Sequence, residues 1–288
     1  MPIGAVSHLM PIAELDRQSS KLLDHTQLAA AQGLASAQYN IGSMYREAHG
    51  VAQDYAEAMK WHRLAADQGN ARAQSDIGNM YSTATGVRQD FAEAMEWYRL
   101  AADQGDATAQ VNLGDMFYQG EGLKQDYAEA LKWFRRAAAQ GYAPAQYNIG
   151  FMYVQGLGVA ENSVEATKFL RLAAAQEYPK AQSLLGAIYY SGSGVDLDFT
   201  EALKWFRLAA KNGDEFAKLR LGEMYDAGHG LGKDAVRAHM WFALAAEKGT
   251  PEAVKVRDKH STLLTSPELR EAQKLSDDCR LRKYVGCN

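Results

Sequence analysis

Apolar residues recur at intervals of three and four positions through most of the 288-residue chain. In the stretch AQYNIGSMYREAHGVAQDYAEAMKWHRLAADQGN, which begins at Ala37, this spacing predicts two helices that each bury one face. The buried face of the first helix holds Ile41, Met44 and Tyr45, and that of the second holds Ala58, Trp61, Ala65 and Ala66. Apolar and polar positions do not alternate, so the pattern predicts helices rather than strands.

The helix pair returns with a period of 36 residues. The five tryptophans follow this step, with Phe169 filling the one gap, at Trp61, Trp97, Trp133, Trp205 and Trp241. The same step relates one glycine in each unit, at Gly42, Gly78, Gly114, Gly150, Gly186 and Gly222. A fixed period of this length is typical of repeat architectures, in which each unit buries its apolar face against the neighbouring units.

The period divides the chain into an N-terminal segment, six repeats and a C-terminal remainder. The N-terminal segment covers residues 1–34 and includes a capping helix over about 21–33. The repeats cover 35–70, 71–106, 107–142, 143–178, 179–214 and 215–250. Residues 251–288 hold a partial repeat and a second capping helix, for which Ser266 is the expected N-cap and Pro267 the first residue.

Each of the first five second helices carries a start signal. Asp54 followed by Glu57 fits a capping box, which returns in the next four repeats with Asn162 in place of aspartate once. Glycines such as Gly69 are placed to end the same helices in the left-handed conformation, and Glu177 breaks that series.

The small residues explain how the two helices of a repeat meet. Alanine or glycine at fixed positions lets two helix axes approach closely, and a large aromatic such as Trp61 or Tyr45 is expected to fill the remaining space. Together these signals predict an all-α solenoid of stacked antiparallel helix pairs with helical caps at both ends.

Composition excludes several classes of partner. The chain is 47% hydrophobic and 23% charged, and its net charge of −4 comes from interspersed acids and bases. Nucleic-acid binding is not expected, because no basic field is present to neutralise phosphates. No apolar run approaches the roughly 20 residues of a membrane helix. The opening MPIGAVSHLMPIAELD does not resemble a signal peptide, although a chain stripped of its leader would look the same.

No catalytic or cofactor site is expected from the motifs. The glycine pairs that begin at Gly120, Gly156, Gly192 and Gly228 lack the preceding strand and the Lys-Ser/Thr of a phosphate loop, so they are interpreted as turns that need positive φ. No hydrolase nucleophile motif occurs. The histidines His62 and His239 take the place of aromatic or aliphatic residues and are interpreted as polar substitutes rather than metal ligands.

The repeat resembles the Sel1-like repeat family, relatives of the tetratricopeptide solenoids. The matching pattern is A-x-A-Q-x-N-L-G-x-M, as in ATAQVNLGDM, followed by D-x-x-E-A-x-K-W and A-A-x-Q-G, from about Lys21 to Val256. The resemblance implies a right-handed superhelix whose first helices line a concave face, and a role as an adaptor that binds other proteins. Fold alone does not assign that function.

The resemblance also bears on the two cysteines, Cys279 and Cys287. Their spacing matches that with which secreted, cysteine-rich members of the family staple one helix end to the next, but two free thiols near a terminus fit the sequence equally well. A bridge would indicate a periplasmic or secreted protein whose leader was removed, and free thiols a cytoplasmic one.

Aligning Gly42 with the corresponding tetratricopeptide glycine indicates which residues face the groove. The predicted binding residues are Tyr39, Asn40, Arg46, Asp76, Asn79, Asn112, Asp115, Tyr118, Tyr147, Asn148, Phe151, Tyr190, Arg220 and Glu223. Tyrosine offers rigid contact area, and asparagine can donate to and accept from a peptide backbone. The asparagines at 40, 112 and 148 also fit a structural role between repeats.

The sequence therefore predicts a non-catalytic scaffold, without a cofactor or metal, that binds a partner protein or peptide in the groove. Two alternatives stay open. One is a cell-envelope enzyme or binding protein that acts on peptidoglycan, and the other is a spacer that associates with itself.

Overall fold

The computed structural model describes residue 26 and residues 28–287, and over this range the chain is helical without a strand. The start of the predicted N-terminal helix at Lys21 and the opening segment lie outside the described residues. The chain divides into two compact units, Met1–Trp133 and Phe134–Asn288. Consecutive helices pack in pairs within each unit, which is the arrangement of an α-solenoid.

Odd-numbered helices are the first helices of the repeats and even-numbered helices are the second. In the first two repeats they are α1 (Ala35–Glu47), α2 (Tyr55–Ala66), α3 (Ala71–Ser82) and α4 (Phe91–Asp103). The next two repeats hold α5 (Ala107–Gln119), α6 (Tyr127–Ala139), α7 (Ala143–Gln155) and α8 (Ser163–Ala175). Then follow α9 (Pro179–Ser191), α10 (Phe199–Lys211), α11 (Glu215–Ala227) and α12 (Ala235–Ala245). The chain continues through a 3₁₀ turn (Ala246–Lys248) to α13 (Pro251–Ser261) and α14 (Ser266–Leu281).

The second helices begin where the sequence predicts, but only half of the capping box forms. The Asp54 carboxylate accepts hydrogen bonds from the backbone N–H groups of Ala56 and Glu57 at 2.9 and 3.0 Å. The backbone N–H of Asp54 donates to the carbonyl of Tyr45 at 3.0 Å. The predicted glutamate partner was therefore wrong, because the preceding helix already supplies the acceptor that Glu57 would have offered.

Left-handed residues close the helices, as the sequence predicts. Gly69 has φ of 82°, and Glu177, which stands at the same step in the fourth repeat, keeps this conformation with φ of 59°. The first two repeats have alanine at the turn position where later repeats have glycine, and Ala48 and Ala84 also take up a left-handed φ of 57°.

Buried side chains at one step of the repeat form a row in the core, one from each repeat, which we call the core row. Each of them directly follows the tryptophan of its repeat, or Phe169, in the sequence. A Cβ atom on Gly42 would stand only 2.6 Å from Nδ1 of His62, so glycine brings this helix against the residue that follows Trp61. The row is buried throughout and consists of His62, Tyr98, Phe134, Leu170, Phe206 and Phe242. Trp61 and Tyr45, the aromatics expected to fill the space beside the small residues, pack against the cluster of Ala30, Ala37 and Ile41. Only Trp241 among the tryptophans is fully buried, and the other four are half-buried.

Polar ladders join neighbouring repeats. The Gln38 amide donates to the Ala30 carbonyl at 3.2 Å and accepts from Gln68 Nε2 at 2.7 Å. The bond between the two side chains returns with Gln74 and Gln104, with Gln146 and Gln176, and with Gln182 and Asn212. Gln74 and Gln182 also donate to a backbone carbonyl of the preceding repeat, as Gln38 does to Ala30. These bonds satisfy buried amides, and they fix the register between repeats.

The C-terminal helices close the second unit. Helices α13 and α14 both pack on α12, and Cys279 is bonded to Cys287 with Cα atoms 5.4 Å apart. The N-cap of α14 is Thr265 rather than the predicted Ser266. Thr265 takes this place because Glu268, three residues later, accepts hydrogen bonds from both its backbone N–H and its hydroxyl, at 2.8 and 2.7 Å.

Candidate binding face of the first helices

The predicted binding residues lie on the odd-numbered helices of both units. Eight of them belong to the first unit, on α1, α3 and α5, and six belong to the second, on α7, α9 and α11. Asn40 and Asn79 are exposed, and the other twelve are half-buried. Each unit therefore presents a candidate face of its own.

Arg46 forms ion pairs within the first unit. Its guanidinium lies 2.7 Å from Oδ1 of Asp76 on α3 and 2.7 Å from the Glu47 carboxylate. The predicted binding residues Arg46 and Asp76 thus form an ion pair with each other, which joins the first repeat to the second. Neither offers an uncompensated charge to a partner.

Tyr39 stands between two open notches. Its ring lies 5.6 Å from that of His62, and burial raises the pKa of its hydroxyl. The notch of about 480 Å³ between α1 and α3 is lined by Ser36, Tyr39, Asn40, Asn70, Ala71 and Arg72. The notch on the other side, of about 400 Å³, is lined by Thr26, Tyr39, Asn40, Ser43, Met44, Arg46 and Glu47.

Two other predicted residues of this unit are held by their neighbours. Tyr118 packs edge-on against Tyr127, with ring centroids 5.3 Å apart, and burial raises the pKa of Tyr118. Asn112 hydrogen-bonds the hydroxyl of Tyr98, which also lies 3.1 Å from Ser82 Oγ. Burial raises the pKa of Tyr98 to about 12. Asn112 thus serves the packing between repeats, one of the two roles that the sequence left open.

The second unit is aromatic where the first is polar. The ring of Tyr147 lies 6.2 Å from Phe151 and 5.6 Å from Tyr178, which caps the next first helix. The Tyr190 hydroxyl lies 3.0 Å from Nδ1 of His229. Asn148 is half-buried on α7 beside Tyr147. The aromatic residues form a half-buried surface rather than isolated contacts.

Arg220 and Glu223 pair with each other on α11. Nitrogen NH1 of Arg220 lies 2.5 Å from Oε2 of Glu223, and the guanidinium covers the ring of Phe216 at 4.7 Å. Phe216 itself is 43% exposed. A notch equivalent to that beside Tyr39 lies between α11 and α13, lined by Glu215, Phe216, Leu219, Thr250, Glu252 and Ala253.

The predicted binding residues do not include Asn70, Arg72 and Phe216, which complete these notches. Arg72 and Asn70 come from the start of the following first helix, and Phe216 stands 180 residues after Ser36 at the same step of the repeat. The period indicates both Arg72 and Phe216, which stand one and five repeats after Ser36. That Asn70 and Arg72 line the notch beside Tyr39 depends on the stacking of two repeats, which the pattern within one repeat does not show.

The buried histidines are polar substitutes in the core. His62 is fully buried, and desolvation lowers its pKa to about 4. His239 and His260 stack with ring centroids 5.6 Å apart, and burial lowers the pKa of both. Within the described part of the chain, no group of three or more His, Cys, Asp or Glu side chains is placed to hold a metal ion. No helix there is long and apolar enough to cross a membrane.

Comparison with known proteins gives a consistent result. The family model of the Sel1 repeat matches residues 35–70, 71–106, 107–142, 143–178, 179–214 and 216–250. The crystal structure of a Sel1 repeat protein from Oxalobacter formigenes is 33% identical over 83% of this chain and 98% of its own, with a TM-score of 0.72.

Two further solved structures are similar. A protective antigen of uropathogenic Escherichia coli, c5321, is 29% identical over 93% of this chain and 73% of its own, with a TM-score of 0.41. The immunity protein Pa5087 from Pseudomonas aeruginosa is 20% identical over 77% of this chain and 86% of its own, with a TM-score of 0.51, a likeness of fold alone. A search of curated proteins found no match.

Proposed function

Because the chain belongs to the Sel1 repeat family, we propose that it is a non-catalytic scaffold that binds a partner protein or peptide on the face of its first helices. Sel1 repeat solenoids generally serve protein–protein interaction, and proteins of this family are typically not catalysts. The observation that carries the proposal is the pair of open notches on either side of Tyr39, which lie at predicted binding positions.

The chemistry of the first unit suits an extended peptide. Asn40 and Asn79 are exposed, and neither side chain makes a hydrogen bond to the described residues. Each amide can both donate to and accept from a peptide backbone. Tyr39 adds a rigid ring that is already held against His62, so little conformational entropy is lost on binding.

The second unit suits apolar side chains of a partner. The rings of Tyr147, Phe151 and Tyr178 are already in contact, and aromatic residues are the common anchors of protein interfaces. Because Tyr147 supports its neighbours, an alanine in its place would change packing as well as binding. Asn40 and Asn79 are therefore the better positions for a test.

The test replaces both exposed asparagines with arginine. Asn40→Arg with Asn79→Arg adds bulk and charge to the face, and it should reduce capture of partner proteins from the native extract at least about tenfold, since ~1.4 kcal/mol of lost affinity corresponds to that factor. The measurement is quantitative mass spectrometry of proteins retained by each immobilised variant.

A matched control is Glu96→Arg on α4, an exposed second-helix position of the same unit whose side chain is 73% exposed. This variant should capture the same proteins as the unaltered chain. The proposal fails if the asparagine variant keeps its captured proteins, or if Glu96→Arg loses them equally. Both variants should retain their helical circular dichroism.

We also propose that the native protein works in an oxidising compartment, periplasmic or secreted. The support is the bond between Cys279 and Cys287, since such bonds persist outside the reducing cytosol. Protein taken from its native cells under acid quench should have both cysteines protected from maleimide. Complete labelling of both thiols would contradict this proposal and would leave the proposal about the binding face unaffected.

A further inference from the structure

The disulfide loop places a tyrosine over a buried lysine. Tyr284 lies between the bonded cysteines, and its ring centroid is 4.2 Å from Nζ of Lys218 on α11. The Tyr284 hydroxyl donates to Oε2 of Glu247 at 3.2 Å, and Nε of Arg280 lies 3.4 Å from Oε1 of the same carboxylate. The loop thus meets the last full repeat through a cation–π contact and a hydrogen bond.

Lys218 interrupts the polar ladder of the earlier repeats. It stands 36 residues after Gln182, where each earlier repeat has a glutamine. The residue 30 positions later, the usual ladder partner, is Lys248, which pairs with Glu215 at 2.8 Å instead. Two cations cannot replace an amide pair, so the Tyr284 ring takes the place of the missing partner.

Lys218 is almost completely buried at this contact. The residue is only 5% exposed, and burial lowers the pKa of its ammonium group. Most lysines keep their charged ends in water, and a lysine this buried depends on what lies over it. The carboxylates of Glu247 and Glu215 oppose the effect of burial on the pKa.

The loop backbone is held in an unusual conformation. Lys283 and Tyr284 are consecutive residues with φ of 50° and 61°, a left-handed region that residues with a side chain rarely adopt. Such a pair persists only where the surroundings hold it. Here the supports are the hydrogen bonds from the N–H groups of Lys283 and Tyr284 to the carbonyls of Arg280 and Cys279, the bond from Cys279 to Cys287, and the contacts of the Tyr284 ring.

We propose that the Cys279–Cys287 loop is a redox-controlled latch that covers Lys218. A dithiol reductant breaks the S–S bond by giving it two electrons and two protons, which leaves two protein thiols and an oxidised, cyclic disulfide of the reductant. Without the bond, Cys287 no longer ties the end of the loop to α14, and the Tyr284 ring leaves the lysine. Reduction thereby turns a covered amine into an accessible one at the C-terminal end of the repeats.

The test compares the acylation rates of individual lysines in the full chain. The protein is pulse-labelled with an amine-reactive ester, with or without prior reduction by dithiothreitol and alkylation, and peptides are quantified by mass spectrometry. Lys218 should react about tenfold faster after reduction, the extent expected of a local opening. Lys204, whose side chain is 58% exposed on α10, should keep its rate and serves as the internal control.

Two substitutions distinguish opening of the latch from partial unfolding of the second unit. Tyr284→Ala in the oxidised protein should expose Lys218 as reduction does, whereas Tyr284→Phe keeps the ring and should keep the protection. Unchanged Lys218 labelling after both reduction and Tyr284→Ala would overturn the proposal. It is also overturned if reduction speeds hydrogen exchange throughout α9 together with Lys218, because unfolding of the unit would then explain the exposure.

Discussion

At the scale of single residues, His62 is the substitution in the core row with the clearest physical cost. Four of the other five repeats place an aromatic ring at this step and one places leucine, but the first repeat buries an imidazole whose two nitrogens have no hydrogen-bond partner among the described residues. The charged groups that face it are Asp76, Arg46 and Glu47. Desolvation outweighs the two carboxylates, so His62 is neutral at pH 7.

His62 should make the protein sensitive to acid. Its pKa is about 4 in the folded state and 6.5 in the unfolded state, so the unfolded chain binds the proton first as pH falls. The free energy of unfolding should drop by about 1 kcal/mol at about pH 5.5 and about 3 kcal/mol at about pH 4, relative to neutral pH. Urea unfolding of the unaltered chain and of His62→Phe over this range measures the effect.

The matched control for that experiment is Tyr98→Phe, which alters the same step of the second repeat without an acid-range titration. Its unfolding free energy should follow the pH dependence of the unaltered chain. His62→Phe should lose part of that dependence. Identical pH profiles for all three proteins would show that His62 is not the acid-sensitive group.

Glu177 offers a second prediction at this scale. With φ of 59° it occupies a turn position that the other five repeats give to glycine, and a left-handed residue with a side chain costs about 1–2 kcal/mol. Glu177→Gly should therefore raise the unfolding free energy by about 1 kcal/mol, since its exposed pairing with Lys211 at 3.7 Å contributes little. The midpoint of urea unfolding measures the gain.

The opposite substitution tests the same explanation. Gly141 has φ of 82°, and nothing lies within 4 Å of the position that its Cβ would take. Gly141→Ala should then lower the unfolding free energy by about 1 kcal/mol through backbone strain alone. If Glu177→Gly destabilises the protein, the left-handed backbone is not the dominant cost there.

At the scale of the helices, the sequence predicted start and end points well because those signals are local. An aspartate before an amphipathic stretch and a glycine after it act on the adjacent backbone, and both are found where expected. The contacts between helices were harder to predict. Trp61 and His62 are neighbours on one helix about 100° apart, and the pattern cannot show which of them meets Gly42.

The half-formed capping box leads to a prediction for α4. Asp90 accepts from the backbone N–H groups of Ala92 and Glu93, whereas its own N–H donates to the Tyr81 carbonyl. Asp90→Ala should cost about 1 kcal/mol of unfolding free energy, and Glu93→Ala less than about 0.5 kcal/mol. Equal losses in urea unfolding would show that the glutamate does complete the cap.

At the scale of the whole molecule, the three- and four-residue spacing and the period of 36 residues predicted an all-helical repeat fold. The family was indicated by the resemblance of the repeat's consensus residues, and the family model confirms it. The exposure of the candidate binding residues could be predicted only in part. Which candidates keep a free surface depends on contacts between repeats, such as the ion pair of Arg46 with Asp76, that no single repeat shows. The cysteine spacing likewise left two outcomes open, and the structure contains the bridge.

The central claim is that the first helices carry the binding surface. The most direct measurement is crosslinking in native cells from a photoreactive amino acid placed at Asn40 or Asn79, and, for comparison, at Lys60 or Glu96 on the second helices of the same repeats. All four positions are exposed, so a difference in solvent exposure cannot explain a difference in crosslinking between the two pairs. We predict that positions 40 and 79 form adducts with one common protein and that positions 60 and 96 do not. Adducts formed only from positions 60 and 96 would contradict the account.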